Sequence, residues 1–311
     1  MGGKRLDEAA RAGWLYFIAG YTQDEIAKRL KVSRATAQRL VSLCLSERLI
    51  TFRLEHPIAA CMDLAKRLED RFALRLCEVA PTDATAPTQL AGIAERVASL
   101  LETTLRSETP AIIAIGTGRA MRAAVEQVPP MECPDHQLVS LVGNISNDGS
   151  ATFFDTVARL ADVTKARHYP MPLPVLMSSR AERDQMLKID PIARIHAIAA
   201  KASLRLVGLG QMDKSAQLHV DGFIDREELL ELIRLGAVGE LAGWAFDEDG
   251  RIIAGGTNER LTSIPHLLPT GALTVAAALG KAKLPAIRAA LKGRLINGLI
   301  TDEVTARALL D

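Results

Sequence analysis

From about residue 111 onward, the sequence alternates short apolar runs with amphipathic stretches, and this alternation limits the possible folds more than any other feature. Four apolar runs are predicted to be buried strands: 111–115, 138–142, 204–209 and 273–277. Six stretches have helical periodicity: 91–106, 119–127, 152–163, 225–235, 283–291 and 302–310. Strands separated by helices pair in parallel, so the pattern predicts an α/β, Rossmann-like sheet with helices on both faces. The proline-rich stretch 170–174 is expected to be a short, stiff connector.

The first 56 residues follow a different pattern, which predicts a group of helices. Apolar residues at helical spacing cover 6–18, and Gly20 is expected to end this first helix. Thr22 and Glu25 have the spacing of a capping box, in which each side chain satisfies a backbone N–H of the other residue. The second helix is therefore expected to begin directly after Thr22.

A third helix is predicted to follow the second after a very short turn. Ser33 is a suitable N-cap for it, and only residues 31 and 32 are left between the two helices. The stretch 49–54 alternates weakly and ends before Pro57, which predicts a strand or small wing. These patterns divide the chain into an N-terminal (winged) helix-turn-helix domain, 1–56, and a larger domain, 57–311.

A helix, a tight turn and a second helix with a polar outer face are typical of DNA-binding proteins, where the second helix enters the major groove. Residues 1–56 contain ten Lys and Arg against six Asp and Glu, whereas the rest of the chain has 28 against 31. The predicted base-reading residues are Arg34, Thr36, Gln38 and Arg39. The predicted phosphate contacts are Tyr21, Thr22 and Ser33. The alternative is an ordinary helical hairpin with a solvated, charged face. The turn often carries Gly where this chain has Lys31.

Glycines cluster at the ends of three predicted strands in the larger domain. Gly116, Thr117, Gly118 and Arg119 form a turn between a strand and a helix, where the backbone can approach an anion. Two further glycine-bearing loops are expected at 208–210 and at 280–283, and the last of these carries Lys283. In open α/β sheets ligands bind at the carboxyl ends of strands, so the three loops are expected to converge on one anion. The alternatives are a plain tight connection and a surface lysine.

Composition excludes several classes of protein. The sequence has no signal-peptide core and no apolar stretch of membrane-spanning length, so a cytoplasmic protein without a membrane partner is expected. Four scattered cysteines with no CxxC pair indicate free thiols. Six dispersed histidines show no ligand spacing, so neither a metal nor another cofactor is expected.

Several segments together resemble the SorC family of sugar-responsive transcription regulators along nearly the full length of the chain. They are IGTGRAMRAAV, LVGNISNDGSA, YPMPLPV, VGLG, GAVGELAGWAFDEDG, NERLTSIP and KLPAIRAALKGRLINGLITDEVTARALL. The resemblance implies an effector domain similar to ribose-phosphate isomerases and glucosamine-phosphate deaminases, which senses a phosphorylated sugar or polyol without converting it. It also implies a homo-oligomer, a dimer or tetramer, that binds operator DNA.

The resemblance further implies individual residue roles. Gly116, Thr117, Gly118, Arg119 and Lys283 would hold the phosphate, while Glu240 and Asn144 would meet the sugar. Many relatives have two glycines before the lysine, where this chain has Leu279 and Gly280, which leaves the seat of the ligand open. Asp247 is either a ligand contact or the cap of its own turn.

The sequence leaves two rival functions. One is a protein–protein adaptor that uses the DNA-binding fold, and the other is a sugar-phosphate isomerase-like enzyme with an N-terminal extension. Such an enzyme needs a general base, for which Glu240 or Lys283 would be available. The predicted helix-turn-helix favours the regulator, with no catalytic residues.

Overall fold

The computed structural model describes residues 2–47, 49–50, 58–82, 89–146, 149–150, 155–265 and 271–311. The chain divides into two compact units, Met1–His56 and Pro57–Asp311. The predicted wing at 49–54 lies mostly outside the described residues.

The first unit consists of α1 (Gly2–Gly13), a π-helical turn (Trp14–Ile18), α2 (Gln23–Leu30) and α3 (Arg34–Ser46). Both predicted N-terminal caps are confirmed. Thr22 and Glu25 form a complete capping box at the start of α2, and the Ser33 hydroxyl accepts the Thr36 N–H at 3.1 Å. Lys31 ends α2 in the left-handed conformation, with φ 54° and ψ 44°. This residue therefore occupies a position that favours glycine.

A close contact between α1 and α3 fixes the core of the first unit. A β-carbon on Gly13 would lie 2.1 Å from the Cys44 Sγ, so only glycine lets the two helices pack at this point. Ile26 of α2 and Ala37 of α3 are fully buried in the same apolar cluster.

The second unit is an α/β domain. Its strands are β1 (Leu76–Ala80), β2 (Ile112–Ile115), β3 (Gln137–Ile145), β4 (Arg167–Pro174), β5 (Leu204–Gln211), β6 (Gly239–Leu241), β7 (Trp244–Phe246), β8 (Leu273–Ala277) and β9 (Gly298–Asp302). Its α-helices are α4 (Ala59–Phe72), α5 (Ala91–Leu105), α6 (Arg119–Val125), α7 (Thr156–Thr164), α8 (Arg180–Met186), α9 (Asp190–Ala200), α10 (Gln217–Val220), α11 (Arg226–Arg234), α12 (Leu284–Lys292) and α13 (Glu303–Leu310). Two short 3₁₀ turns cover Gly256–Glu259 and Lys281–Lys283.

Seven strands form a parallel sheet in the order β1-β9-β8-β5-β2-β3-β4, which confirms the predicted α/β class. In the strands inside this sheet, residues enter two apolar clusters, one on each face. In β2, for example, Ala114 belongs to one cluster, and Ile113 and Ile115 belong to the other. The sheet is therefore covered on both sides, as the continuous apolar runs predict.

The strand order reverses between β2 and β5. From β2 the chain continues outward through β3 and β4, and it then returns to place β5 on the other side of β2. The loops after β2 and β5 consequently leave the sheet in opposite directions. This arrangement opens a crevice at the carboxyl ends of these two strands, where ligands bind in open α/β sheets.

All four predicted strands are present, but the sequence pattern missed five others. The stretch 170–174 is not a connector, because it forms the second half of β4 at the edge of the sheet. An edge strand tolerates proline because one side of its backbone needs no partner. The missed strands β6 and β7 are only three residues long and form an antiparallel hairpin beside β5.

Candidate functional site

A cavity of about 540 Å³ opens at the point where the strand order reverses. We call it the switch-point cavity. It is lined by the loop after β2, the end of β5, the β6–β7 hairpin, the α10 segment and the loop after β8. Its volume is in the range of small-molecule sites. The cavity brings together six of the seven predicted effector contacts: Gly116, Thr117, Gly118, Arg119, Glu240 and Lys283.

Two of the lining loops have the same backbone geometry. Gly118 precedes α6 with φ 111°, and Gly280 precedes the Lys281–Lys283 turn with φ 101°. A β-carbon at either position would meet no atom within 4 Å, so there is space for a side chain. Glycine is required here because of the positive φ. Each glycine turns the chain so that a basic side chain, Arg119 or Lys283, borders the cavity.

The third predicted glycine loop is a strand. Gly208 and Gly210 lie within β5, which continues to Gln211 and pairs with β6. The sequence places these glycines after an apolar run, and such a run does not reveal that a hairpin extends the sheet beyond it. Gly210 still borders the cavity, where the residue opposite it in β6 is Glu240.

The β6–β7 hairpin holds Glu240 in place. Its turn residues, Ala242 and Gly243, both have positive φ, which is the geometry of a tight two-residue hairpin turn. The Gly243 N–H donates to the Glu240 Oε2 at 2.8 Å. One carboxylate oxygen is thus fixed by the turn, and the side chain lies along the cavity wall.

Glu240 and Lys283 interact electrostatically. Burial raises the pKa of Glu240, although the Gly243 hydrogen bond and the Lys283 charge act in the opposite direction. Burial lowers the pKa of Lys283, the Glu240 charge raises it, and the nearby Arg119 charge lowers it further. Lys283 therefore lies within electrostatic range of both a carboxylate and a second cation.

Arg119 is anchored by a residue that the sequence analysis missed. Its Nη2 contacts the Asp221 Oδ1 at 3.1 Å, and Gln217 Nε2 donates to the same oxygen at 2.9 Å. Asp221 and Gln217 both line the cavity. They belong to no motif and lie on and after the four-residue helix α10, so nothing in their spacing marks them.

The seventh predicted contact, Asn144, lies within β3 and not after it. It is not among the described residues that line the cavity. Leu279 does line the cavity, directly before the Gly280 turn, and its side chain is buried.

Two of the segments that carry the family resemblance contain residues with structural roles. The Asp247 Oδ1 accepts the N–H groups of Asp249 and Arg251, so this residue caps its own turn. Asn258, in the NERLTSIP segment, is buried and hydrogen-bonds both backbone groups of Ala245. Since Ala245 pairs with Glu240 across the hairpin, Asn258 supports the strand pair that carries the glutamate.

In the first unit the predicted DNA contacts lie around α3 and the turn before it. Arg34, Gln38 and Arg39 are exposed, and Arg34 forms an exposed ion pair with Asp24 at 3.4 Å. The hydroxyls of Ser33 and Thr36 contact each other at 2.9 Å.

The remaining two predicted contacts lie at the start of α2. The Thr22 hydroxyl donates to the Glu25 carboxylate, and Tyr21 is covered by the Arg29 guanidinium at 3.9 Å from the ring centre.

Among the described residues, no group of three or more His, Cys, Asp or Glu side chains could hold a metal ion. No helix in the described part of the chain is long and apolar enough to cross a membrane.

Residues 56–311 match the family model described as "Putative sugar-binding domain". The erythritol catabolism regulatory protein EryD of Brucella abortus (strain 2308) is 33% identical over 302 residues, which cover 97% of this chain and 96% of that protein. The chain belongs to the SorC family of sugar-binding transcriptional regulators. The deoxyribonucleoside regulator of Bacillus subtilis (strain 168) is 27% identical over 311 residues, which cover 98% of this chain and 96% of that protein.

The SorC-family fold also agrees with solved structures. The full-length sorbitol operon regulator SorC of Klebsiella pneumoniae superimposes with a TM-score of 0.72, 24% identity, and coverage of 99% of this chain and 100% of that chain. The probable sor operon regulator of Shigella flexneri gives a TM-score of 0.71 at 25% identity, over 81% of this chain and 99% of that chain.

Proposed function

We propose that this regulator controls an operon for the catabolism of a sugar or polyol, and that a phosphorylated form of that compound binds in the switch-point cavity. The observation that carries the proposal is the pairing of Arg119 and Lys283 on two glycine turns beside the carboxylate of Glu240. A basic pair next to a hydroxyl-accepting carboxylate matches a ligand with a phosphate at one end and hydroxyls at the other.

The phosphate is proposed to lie between Arg119 and Lys283. Burial and the Arg119 charge both lower the pKa of Lys283, so an anion between the two side chains offsets both effects on Lys283. A phosphate has enough acceptor oxygens for both side chains and for the backbone around Gly118. Asp221, which already holds Arg119, would keep the guanidinium directed along the cavity wall.

Glu240 is proposed to accept hydrogen bonds from the hydroxyls of the ligand. Its Oε2 is occupied by Gly243, and its Oε1 lies towards Gly210, where the missing side chain leaves room. A carboxylate fixed in this way discriminates among hydroxyl patterns because an unmatched buried acceptor is costly. In the same proposal Asn144 approaches the sugar from the side of β3.

The first unit is proposed to be the operator-binding domain, with α3 as the recognition helix in the major groove. Arg34, Thr36, Gln38 and Arg39 would meet base edges, and Tyr21, Thr22 and Ser33 would meet phosphates. The second unit is proposed to have the architecture of the ribose-phosphate isomerases and glucosamine-phosphate deaminases and to assemble the chain into a dimer or tetramer. Light scattering of the purified protein tests the assembly.

We infer that the cavity binds its ligand without converting it. The related proteins named above are regulators, which supports binding without conversion. Incubation with ribose and hexose phosphates tests the rival enzyme, since turnover at ordinary enzymatic rates would contradict the proposal.

Thermal unfolding in a panel of sugar and polyol phosphates tests the effector class. A compound that binds only the folded protein raises the melting temperature by mass action. We expect a phosphorylated compound to raise the melting temperature of the wild type. The unphosphorylated parent compound is expected not to raise it, and the phosphorylated compound is expected not to raise the melting temperature of Lys283→Met. Lys214→Met removes an exposed lysine outside the cavity and serves as the matched control. Stabilisation by the parent sugars alone would contradict a phosphorylated effector.

A further inference from the structure

A single side-chain hydrogen bond fixes the glycine that begins the lysine loop, here defined as residues 279–283. The Gly280 N–H donates to the Thr305 Oγ1 at 2.8 Å. Thr305 lies in the first turn of α13 and is almost completely buried. Gly280 in turn accepts the Lys283 N–H on its carbonyl at 3.0 Å, which closes the turn that carries the lysine.

The backbone of Thr305 is itself held by a partly buried network. Its own N–H donates to the Asp302 Oδ1 at 3.0 Å, which caps α13. The other oxygen of Asp302 accepts the Thr82 hydroxyl at 2.8 Å, and Thr82 follows β1. The carboxyl ends of β1 and β9 are thus joined to the lysine loop through Thr305. The LITDE segment contributes Asp302 to this network.

This arrangement matters because glycine has no preferred backbone conformation of its own. Gly280 has φ 101° and ψ 149°, one of many backbone conformations that an unconstrained glycine adopts. The hydrogen bond of its N–H to Thr305 and that of its carbonyl to the Lys283 N–H hold it in this conformation. The backbone position of Lys283 is thereby fixed.

We infer that Thr305 is a positioning residue for effector binding, which acts on the phosphate through Gly280 and Lys283 without touching the ligand. The inference rests on the proposed function, because it assigns Lys283 to the phosphate. Thr305→Val replaces the hydroxyl by a methyl group, so it keeps the branched shape and removes the hydrogen bond to Gly280. Thr305→Ser keeps the hydroxyl and loses one methyl group.

Hydrogen–deuterium exchange of the unliganded full chain is the first test. In Thr305→Val, the peptide covering residues 278–285 is expected to exchange faster than in wild type, and Thr305→Ser is expected to restore protection. Thr164→Val is the matched control, because the Thr164 hydroxyl is also buried and donates to the Leu160 carbonyl at 2.8 Å within α7. Unchanged exchange of this peptide in Thr305→Val would overturn the inference.

Binding of inorganic phosphate, D-ribose 5-phosphate and D-erythrose 4-phosphate by calorimetry is the second test. Thr305→Val is expected to bind these compounds about tenfold more weakly than wild type, the effect of one lost hydrogen bond in a buried site. Thr305→Ser and Thr164→Val are expected to stay within about twofold of wild type. Faster exchange with unchanged affinity would overturn the positioning role.

The two proposals fail in different ways. If the wild type binds neither phosphate nor any phosphorylated compound, the proposed effector class is wrong, whatever the exchange data show. If the wild type binds them and Thr305→Val binds them equally well, the effector class stands and the role of Thr305 is wrong.

Discussion

Gly210 and Glu240 are paired across β5 and β6, and the glutamate occupies the space that a side chain at position 210 would fill. A β-carbon on Gly210 would lie 2.3 Å from the Glu240 Oε1 and 2.9 Å from its Cγ. Gly210 lies within a regular strand, so no turn requires glycine here. Its missing side chain instead leaves room for the Glu240 carboxylate at the cavity wall.

Gly210→Ala is expected to displace Glu240 and weaken effector binding about tenfold, with a loss of stability of only about 1 kcal/mol, because the displaced group is the flexible end of a side chain. In a double-mutant cycle, the same change in a Glu240→Ala background is expected to cost almost nothing. Urea unfolding and calorimetry measure both quantities.

Gly250→Ala is the contrasting variant for this cycle. Gly250 has φ 74°, and a β-carbon there would lie 2.4 Å from the Ala289 carbonyl oxygen, which cannot move away. Its cost is expected to exceed about 3 kcal/mol in either background. Equal costs for Gly210→Ala with and without Glu240 would show that the glutamate is not where the structure has it.

Asp221→Asn is expected to tighten phosphate binding. The amide oxygen of the variant still accepts from Arg119, while the negative charge beside the proposed phosphate is removed. A charge of this kind near the surface contributes about 1 kcal/mol, equivalent to several-fold in affinity at low salt. Calorimetry at two salt concentrations measures the effect. Asp213→Asn removes an equal charge from the same segment, outside the cavity lining, and is expected to change little. Weaker binding by Asp221→Asn would contradict this account.

The Glu240–Lys283 pair predicts opposite pH dependences for two variants. Because burial raises the pKa of Glu240 above 4.5, its contribution favours folding at low pH and is lost as the pH rises through the folded-state pKa. The stability of Glu240→Gln relative to wild type is therefore expected to rise with pH. Because burial lowers the pKa of Lys283 below 10.5, its contribution favours folding at high pH and is lost as the pH falls.

The stability of Lys283→Met relative to wild type is accordingly expected to rise as the pH falls. Urea unfolding of the three proteins across pH 5.5 to 8.5, chosen to lie roughly between the ordinary pKa values of the two groups, measures the slopes. Each variant also removes the charge that partly offsets the pKa shift of the remaining group. That shift therefore grows, and it adds to the pH dependence in the expected direction. The same dependence of the unfolding free energy on pH in all three proteins would contradict the burial assigned to Glu240 and Lys283.

Lys31→Gly is expected to stabilise the first unit by about 1 kcal/mol, because Lys31 has φ 54° and a side chain in this region is strained. Lys31→Ala removes the same charge but keeps a β-carbon, so it is expected to stay near wild type. Thermal unfolding of the full chain carrying Trp244→Phe, followed by the fluorescence of the remaining tryptophan, Trp14, compares the three proteins. A Gly variant that is no more stable than the Ala variant would contradict the left-handed turn.

The sequence predicted those parts of the fold that depend on local patterns. The capping box at Thr22 and the N-cap at Ser33 involve residues three apart, and the apolar runs of β2 and β8 are buried on both faces. The short hairpin β6–β7 and the edge strand β4 were missed. Three-residue strands are too short to show alternation, and prolines in β4 conceal an edge strand.

From residue chemistry alone, the candidate site was predictable only where glycine marks a turn, and Glu240 was expected from the family resemblance. Gly118 and Gly280 each marked a turn before a helix, and this local pattern indicated that the basic residues after them, Arg119 and Lys283, border a site. Asp221 and Thr305 were not predictable, since each meets its partner only after the sheet has brought distant segments together. Arg119 is 102 residues from Asp221 in the chain, and Gly280 is 25 residues from Thr305.

We propose that a phosphorylated compound in the switch-point cavity changes the affinity of the protein for operator DNA. Fluorescence anisotropy with DNA from upstream of the gene and of its neighbouring operon, titrated with and without the most stabilising sugar phosphate, tests it directly. We expect the compound to change the DNA affinity by about 5–150-fold, with Lys283→Met binding the same DNA but not responding. The contradicting result is specific binding to that DNA whose affinity does not change, in wild type or variant, at any concentration of a sugar phosphate that demonstrably binds the protein.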